Sequence, residues 1–440
     1  MSIRISSLPR PLATVLTAFV AAVGRMDKSL SPSDTMARLR QHTFTFSDSI
    51  YIFHLALAAF WITLMQFPPF PLKLAVPILY TILLLIPLTS QFFLPFVPVA
   101  SWILTFYSSR FIPEAWRPSI SVSLLPTLET VLYGANVSDI LTRFTHPALD
   151  ILAWLPYGII HFVFPFVVAA FIWLFRPKQA LHLWARTFGY MNLIGVIVQI
   201  LLPCAAPWYE LIYGLTPANY SMPGSAGGLG RIDALFGSHG YETTFSHSPV
   251  VFGAFPSLHA GCATIEALFI SHFFPQMTRY IWAYAGVLYW ATMYLTHHYL
   301  VDVVGGACLA IACFYLFLPD EFRGPLATAS PTSPGRRSKY DAYNLEEPRS
   351  RVADMDDFEL SSAEEDEMDI PYRSPLPGQQ QQMPSEQGKK SHRHTASIAS
   401  LIRAEERVED GWSPIMGTFA FPPGSPAAVA RERDREDARV

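Results

Sequence analysis

"PYGIIHFVFPFVVAAFIWLF" occupies residues 156–175 and contains no Asp, Glu, Lys or Arg. A helix of that length covers about 30 Å, the apolar thickness of a bilayer. A helix on the surface of a soluble core would carry a charged face, and this stretch has none. Comparable runs lie near 50–68, 73–89, 92–109, 186–204, 256–274, 280–297 and 301–318. They predict an all-α, polytopic membrane helical bundle. Pro77, Pro87, Pro95 and Pro98 cut the second and third runs into short pieces, so the expected count is six to eight spans.

Charge is distributed unevenly. Of the 66 Asp, Glu, Lys and Arg residues, 39 fall in the last 121 positions, from Asp320 onward. That region holds a "QQQQ" tract and the acidic run "EEDEMD", and it has too little apolar surface to build a core. The expected organisation is an N-terminal cytosolic segment (1–45), a transmembrane catalytic domain (46–319) and a disordered cytosolic tail (320–440). Arg25, Lys28, Arg38 and Arg40 precede the first run, which reads as an uncleaved anchor. Arg176, Lys178, Arg186 and Arg279 mark later connections as cytosolic. Eight spans then leave two long loops, 110–155 and 205–255, on the lumenal side. Both are amphipathic and predict short helices along the membrane surface. Each carries an N-x-S triplet, at Asn136 and Asn219. Cys204, Cys262, Cys308 and Cys313 have neither metal-ligand nor disulfide spacing and read as small core residues.

Two polar constellations interrupt the apolar runs. "AFPSLHAGCA" (254–263) places His259 at the mouth of one span, and "THHYLVDVVGG" (296–306) opens another with His298 and Asp302. Residues four apart share a helix face, so Asp302 can accept a hydrogen bond from one nitrogen of His298 and leave the other nucleophilic. The ordinary alternative is an interfacial histidine beside an unrelated aspartate. An ionisable group just inside a span is costly to keep, which favours function. In the eight-span topology His259 reaches the same lumenal face. Two histidines and an aspartate there supply a nucleophile and a general acid–base, the requirements of phosphoryl or phosphodiester transfer. No metal-ligand pattern is present, and this chemistry needs no cofactor. His54, His146, His161 and His182 stand alone and read as structural.

"PSLH" (256–259) followed by "HHYLVD" (297–302) resembles the second and third motifs of the phosphatidic acid phosphatase type 2 superfamily. The stretches "LDILAWLPYG" (149–158), "GGLGRID" (227–233), "GAFPSLHAGCAT" (253–264) and "MYLTHHYLVD" (293–302), in that order, resemble the fungal inositol phosphorylceramide synthase family, the target of aureobasidin. The resemblance covers roughly residues 40–319. Leu258 replaces the glycine of the phosphatase motif. Ala291-Thr292 stands where phosphatases carry Ser-Arg, and the missing arginine normally grips phosphate oxygens. Arg110…Arg117-Pro118 mimics a first motif but lies too far from His259, and is read as coincidence. Fewer phosphate-binding cations suit a singly charged phosphodiester, and so a transferase.

The resemblance implies transfer of inositol phosphate from phosphatidylinositol to ceramide with release of diacylglycerol, in sphingolipid biosynthesis. It also implies a Golgi location and a small membrane regulatory subunit. The expected catalytic residues are His298 as nucleophile, Asp302 orienting it, and His259 as acid–base. Arg231, the one arginine in loop 205–255, is expected to bind phosphate or inositol. Glu129, Asp139 and Asp150 are the fallback partners for the inositol hydroxyls. Glu266, two turns beyond His259, is expected either to orient that histidine or to pair with a polar group between helices. The rival readings are a lipid phosphate phosphatase and a non-enzymatic membrane scaffold.

Overall fold

The computed structural model describes residues 9–328. Nearly all of the tail expected to be disordered, 329–440, lies outside the described residues. The chain opens with two helices, α1 (Arg10–Gly24) and α2 (Pro32–Gln41), before the first long apolar helix, α3 (Ser49–Leu64). Three short helices follow: α4 (Ala75–Leu85), α5 (Pro87–Phe93) and α6 (Val97–Ser108). The first long loop folds into α7 (Leu124–Tyr133), α8 (Val137–Thr142) and α9 (Pro147–Trp154), and α9 runs through one wide turn into α10 (His161–Phe175). A tight connection leads into α11 (Lys178–Leu201). The second long loop holds α12 (Pro207–Tyr213), α13 (Leu229–Phe236) and α14 (Gly240–Ser246). The final three are α15 (Leu258–Phe273), α16 (Thr278–Tyr294) and α17 (Leu300–Phe317). No strand occurs among the described residues, in keeping with the all-α expectation.

Length and apolarity alone single out fewer helices than the six to eight expected spans. Among the described residues, three helices are both long and apolar enough to cross a membrane, Phe46–Leu64, Pro147–Phe175 and Leu300–Phe317. The pair Leu72–Leu85 and Pro87–Phe93 would add a fourth, but it bends by 112°. The bend has a local cause. Pro87 forces Ile86 into extended backbone (φ −85°, ψ 119°), so the helix cannot pass through. The run expected as a span at 92–109 yields the 12-residue α6, about 18 Å long and short of a bilayer. Helices α15 and α16, at 16 and 17 residues, are also short, and they lie within the bundle. The protein is a multi-pass membrane helical bundle.

Its packing follows membrane rules. Phe166 is 73% exposed, Leu55 72% and Leu316 76%, so apolar side chains face outward where lipid would meet them. Helix α15 is sheltered by α10, α11, α16 and α17. It carries Ala260, Gly261, Ala263 and Ala267, all buried. Small residues let backbones approach where no hydrophobic drive separates helix from lipid. The closest approach falls at Gly306 of α17. A Cβ there would lie 2.1 Å from the Ser257 carbonyl oxygen, so only glycine fits.

Two segments extend the expected bundle. Helix α1, within the stretch read as a plain cytosolic segment, packs on α10: the Arg25 guanidinium donates to the Trp173 carbonyl (3.0 Å), and Phe19 meets the Trp173 ring edge-on. Beyond the expected boundary at 319, Phe322 is buried against Phe273, and its carbonyl bonds to His272 (2.8 Å).

Candidate active site

Two helix starts converge on one point. Ser257 caps α15, accepting from the Ala260 N–H at 3.2 Å. Its own N–H donates to the Asp302 carbonyl at 3.0 Å, which ties the start of α15 to the first turn of α17. On the other side, α16 ends in a reversal at Thr296, whose φ of 65° is unusual for a β-branched residue. Such a conformation costs about 1–3 kcal/mol and persists where the surroundings hold it. Here the Trp208 N–H donates to the Thr296 carbonyl (2.9 Å), and the N–H groups of His297 and His298 both reach the Thr292 carbonyl. Thr292 occupies the place of the missing phosphatase arginine, and its backbone serves this turn.

The two long loops meet in a three-segment backbone ladder. Ser121 accepts from Ala205, while Cys204 donates to Phe252 and accepts from Ala254. The ladder fixes the Ala254 carbonyl, which lies 3.0 Å from His298 Nδ1. A carbonyl can only accept, so Nδ1 carries the proton and Nε2 keeps its lone pair. Asp302 Oδ2 lies 3.7 Å from Nδ1, beyond hydrogen-bond reach, and caps its own helix by accepting the Tyr299 N–H (2.8 Å). The tautomer expected to be set by Asp302 is thus set by Ala254.

His259 sits against His298 with ring centroids 5.6 Å apart. It is stacked on Tyr157 (4.3 Å, 19°), which also stacks on His297 (5.4 Å, 15°). Tyr157 belongs to a π-helical turn, Leu155–Ile160, between α9 and α10. Such widened turns recur at functional sites because they re-aim side chains. This one aims Tyr157, Gly158 and His161 into a cavity of about 1370 Å³ that also reaches His259, His297 and His298. His161 was expected to be structural; its ring lies 4.6 Å from His259. Away from the histidines the cavity is walled by Phe96, Trp102, Phe162, Trp184 and Phe188, and it is spacious and apolar enough for lipid chains. His54 does fit its structural reading, bonded to Ser101 and Tyr190 at 2.7 Å each.

The expected binding residues are placed otherwise. Arg231 is held by Asp150, with contacts of 2.7 and 2.9 Å, and lies over the Tyr294 ring. Tyr294 donates to the same Asp150 oxygen (2.9 Å). Neither Arg231 nor Asp150 lines the cavity. Glu266 does not line it either; it is fully buried in α15, and both carboxylate oxygens lack a partner among the described residues. Asp139 pairs with Arg143 at 2.5 Å, and Glu129 accepts the Val301 N–H at 3.0 Å. The one Arg or Lys among the lining residues is Arg110, from the motif set aside as coincidence. Arg117 braces it, donating to the Arg110 carbonyl (2.9 Å). The spacing Arg110…Arg117-Pro118 was the signal that could have found it. Of the two N-x-S asparagines, Asn136 is half-buried and donates to Glu210 (3.2 Å), whereas Asn219 is exposed.

Residues 125–316 match the PAP2 superfamily. The chain is 51% identical over 290 residues to the inositol phosphorylceramide synthase catalytic subunit of Schizosaccharomyces pombe, covering 66% of this chain and 69% of that protein. It is 48% identical over 295 residues to the inositol phosphorylceramide synthase of Candida albicans, covering 66% and 62%. It is 42% identical over 341 residues to the inositol phosphorylceramide synthase catalytic subunit of Saccharomyces cerevisiae, covering 77% and 84%. No solved structure matches the chain.

Proposed function

The chain belongs to the inositol phosphorylceramide synthase family, and from that premise we propose how its residues carry out the reaction. It is a phosphotransferase that moves inositol phosphate from phosphatidylinositol to ceramide and releases diacylglycerol. His298 Nε2 attacks phosphorus. The bond from phosphorus to the diacylglycerol oxygen breaks, and His259, in its protonated form, gives that oxygen a proton. The primary hydroxyl of ceramide then attacks the phosphohistidine, passing its proton back to His259, and the P–N bond breaks to regenerate His298. Two in-line displacements leave the configuration at phosphorus retained.

The observation that carries this reading is the His259–His298 pair at the polar end of the large apolar cavity, with the His298 tautomer set by Ala254. The Asp302 carboxylate, 3.7 Å away, offsets the positive charge of the phosphorylated imidazole. Arg110 at the cavity wall is the cation available to the phosphodiester, and Arg231 contributes through Asp150 and Tyr294. Glu266 acts, in this scheme, from within α15 rather than on substrate. The site faces the lumen, a reading supported by the distribution of basic residues; the Golgi location and a small membrane regulatory subunit rest on the family resemblance alone.

The test uses purified protein with head-group-labelled phosphatidylinositol. Wild type should form labelled inositol phosphorylceramide only when ceramide is present, and phosphorus made chiral with oxygen isotopes should keep its configuration. Inversion would point to direct one-step transfer. Full activity of His298→Ala would remove the histidine from its role.

A further inference from the structure

The turn that carries His298 is held from three sides by helices of the two long loops. Ser138 of α8 donates to the His298 carbonyl at 2.9 Å. Tyr299 donates its hydroxyl to Glu210 of α12 at 2.8 Å, and Asn136 secures the same carboxylate oxygen. Glu129 of α7 accepts the backbone N–H of Val301 at 3.0 Å. This third contact differs in kind. A helix leaves its first N–H groups unpaired, and α17 resolves this with two carboxylates. Asp302 takes the N–H of Tyr299 from within the helix, and Glu129 takes that of Val301 from 172 residues away in sequence.

Glu129 is fully buried, so its carboxylate could not be kept for solvation. It does not line the cavity, so it does not reach substrate. The positive end of the α17 dipole offsets the charge of both carboxylates. What remains for Glu129 is the geometry of the first turn, and that turn carries Asp302 and adjoins His298.

We infer that Glu129 is a positioning residue for the transfer, pinning the first turn of α17 so that His298 and Asp302 keep their places opposite His259. The inference rests on the reading of His298 as nucleophile. It also gives the first long loop a task in the reaction, since α7 and α8 between them hold both ends of the His298–Val301 segment.

The test compares three variants in the full chain. Glu129→Asp keeps the charge but withdraws the carboxylate by one methylene, so the bond to Val301 is lost. Its kcat should fall about 10²-fold, the scale of a displacement near 1 Å, with the KM for both lipids within about twofold of wild type. Glu129→Ala should behave alike. Glu129→Gln, whose side-chain carbonyl can accept the same bond, should recover kcat to within about threefold of wild type. Size-exclusion profiles in detergent identify any variant that does not fold, and the Asp–Gln pair keeps the comparison decisive if alanine fails. Wild-type kcat in Glu129→Asp, a change confined to KM, or a Gln variant as inactive as Asp would each overturn the inference. His298→Ala, run in parallel, separates the two failures. If it is inactive while Glu129→Asp is normal, only the positioning role falls; if it is active, the underlying site falls first.

Discussion

His298 gives its Nδ1 proton to the carbonyl of Ala254, a residue 44 positions earlier, across a distance of 3.0 Å. A backbone carbonyl on a three-segment ladder therefore does the tautomer-setting usually left to a carboxylate.

This arrangement softens the expected effect of Asp302→Asn. In a serine protease triad the same change costs about 10⁴-fold, because it selects the wrong tautomer. Here the tautomer survives, and the asparagine oxygen can still cap Tyr299. Only charge stabilisation is lost, so kcat should fall about 10²-fold. Asp302→Ala, which also uncaps α17, should fall further and lose thermal stability by about 1 kcal/mol. Steady-state kinetics and melting curves on the two variants check the order. Equal losses for Asn and Ala would show that the charge is the whole contribution.

Tyr157 offers a test with an unusual sign. Its ring stacks on His259 and His297, but its hydroxyl is buried and has no partner among the described residues. Removing an unsatisfied hydroxyl relieves desolvation, so Tyr157→Phe should keep kcat and raise the melting temperature, by up to about 1 kcal/mol in stability. Tyr157→Leu removes the stack, worth about 0.5–1.5 kcal/mol, and should reduce kcat several-fold by loosening His259. A destabilised phenylalanine variant would mean the hydroxyl is bonded.

The sequence made the helical class legible because runs such as 156–175 lack charge over a bilayer's length. It made the candidate site legible because His259, His298 and Asp302 interrupt those runs at their ends. The exact number of spans was less legible. Whether α15 crosses or nests depends on which neighbours cover it, and hydropathy does not carry that. Tyr157 drew no reading, and His161 read as structural, for a related reason. Tyr157 lies on the π-helical turn and His161 at its end, both beside His259, and a helical count carries no mark of such a turn. Arg231 read as a free cation because its partner, Asp150, lies 81 residues away on another helix.

The contact at Gly306 predicts a steric failure rather than a chemical one. Gly306→Ala places a methyl group 2.1 Å from the Ser257 oxygen, so α17 must move off the start of α15. Overpacking of this kind costs about 1–3 kcal/mol, and a shift near 1 Å should lower kcat about 10²-fold. Gly286→Ala is the control, since nothing lies within 4 Å of its Cβ position, and it should be neutral or slightly stabilising. Melting temperature and turnover measured together on both variants decide it. Normal turnover in Gly306→Ala would show that the two helix starts can separate without harm.

Arg231 is the last test, because the structure turns a predicted phosphate ligand into half of a pair. The guanidinium bonds to Asp150, and Tyr294 bonds to the same oxygen, so the three residues tie α13, α9 and α16 together. If Arg231 acts through this tie, Arg231→Ala and Asp150→Asn damage the same feature. Their effects on kcat/KM should then be non-additive, with the double variant no worse than the worse single one and a coupling of about 1–3 kcal/mol. If Arg231 instead grips the phosphodiester directly, its loss should cost about 10²-fold whether or not Asp150 is intact, and the two effects should multiply. Arg231→Lys sharpens the distinction. A lysine keeps the charge but not the planar fork that makes two contacts to one oxygen, so the tie should be restored only in part. A double-mutant cycle with phosphatidylinositol at saturating ceramide separates the cases, and strict additivity would return Arg231 to the substrate.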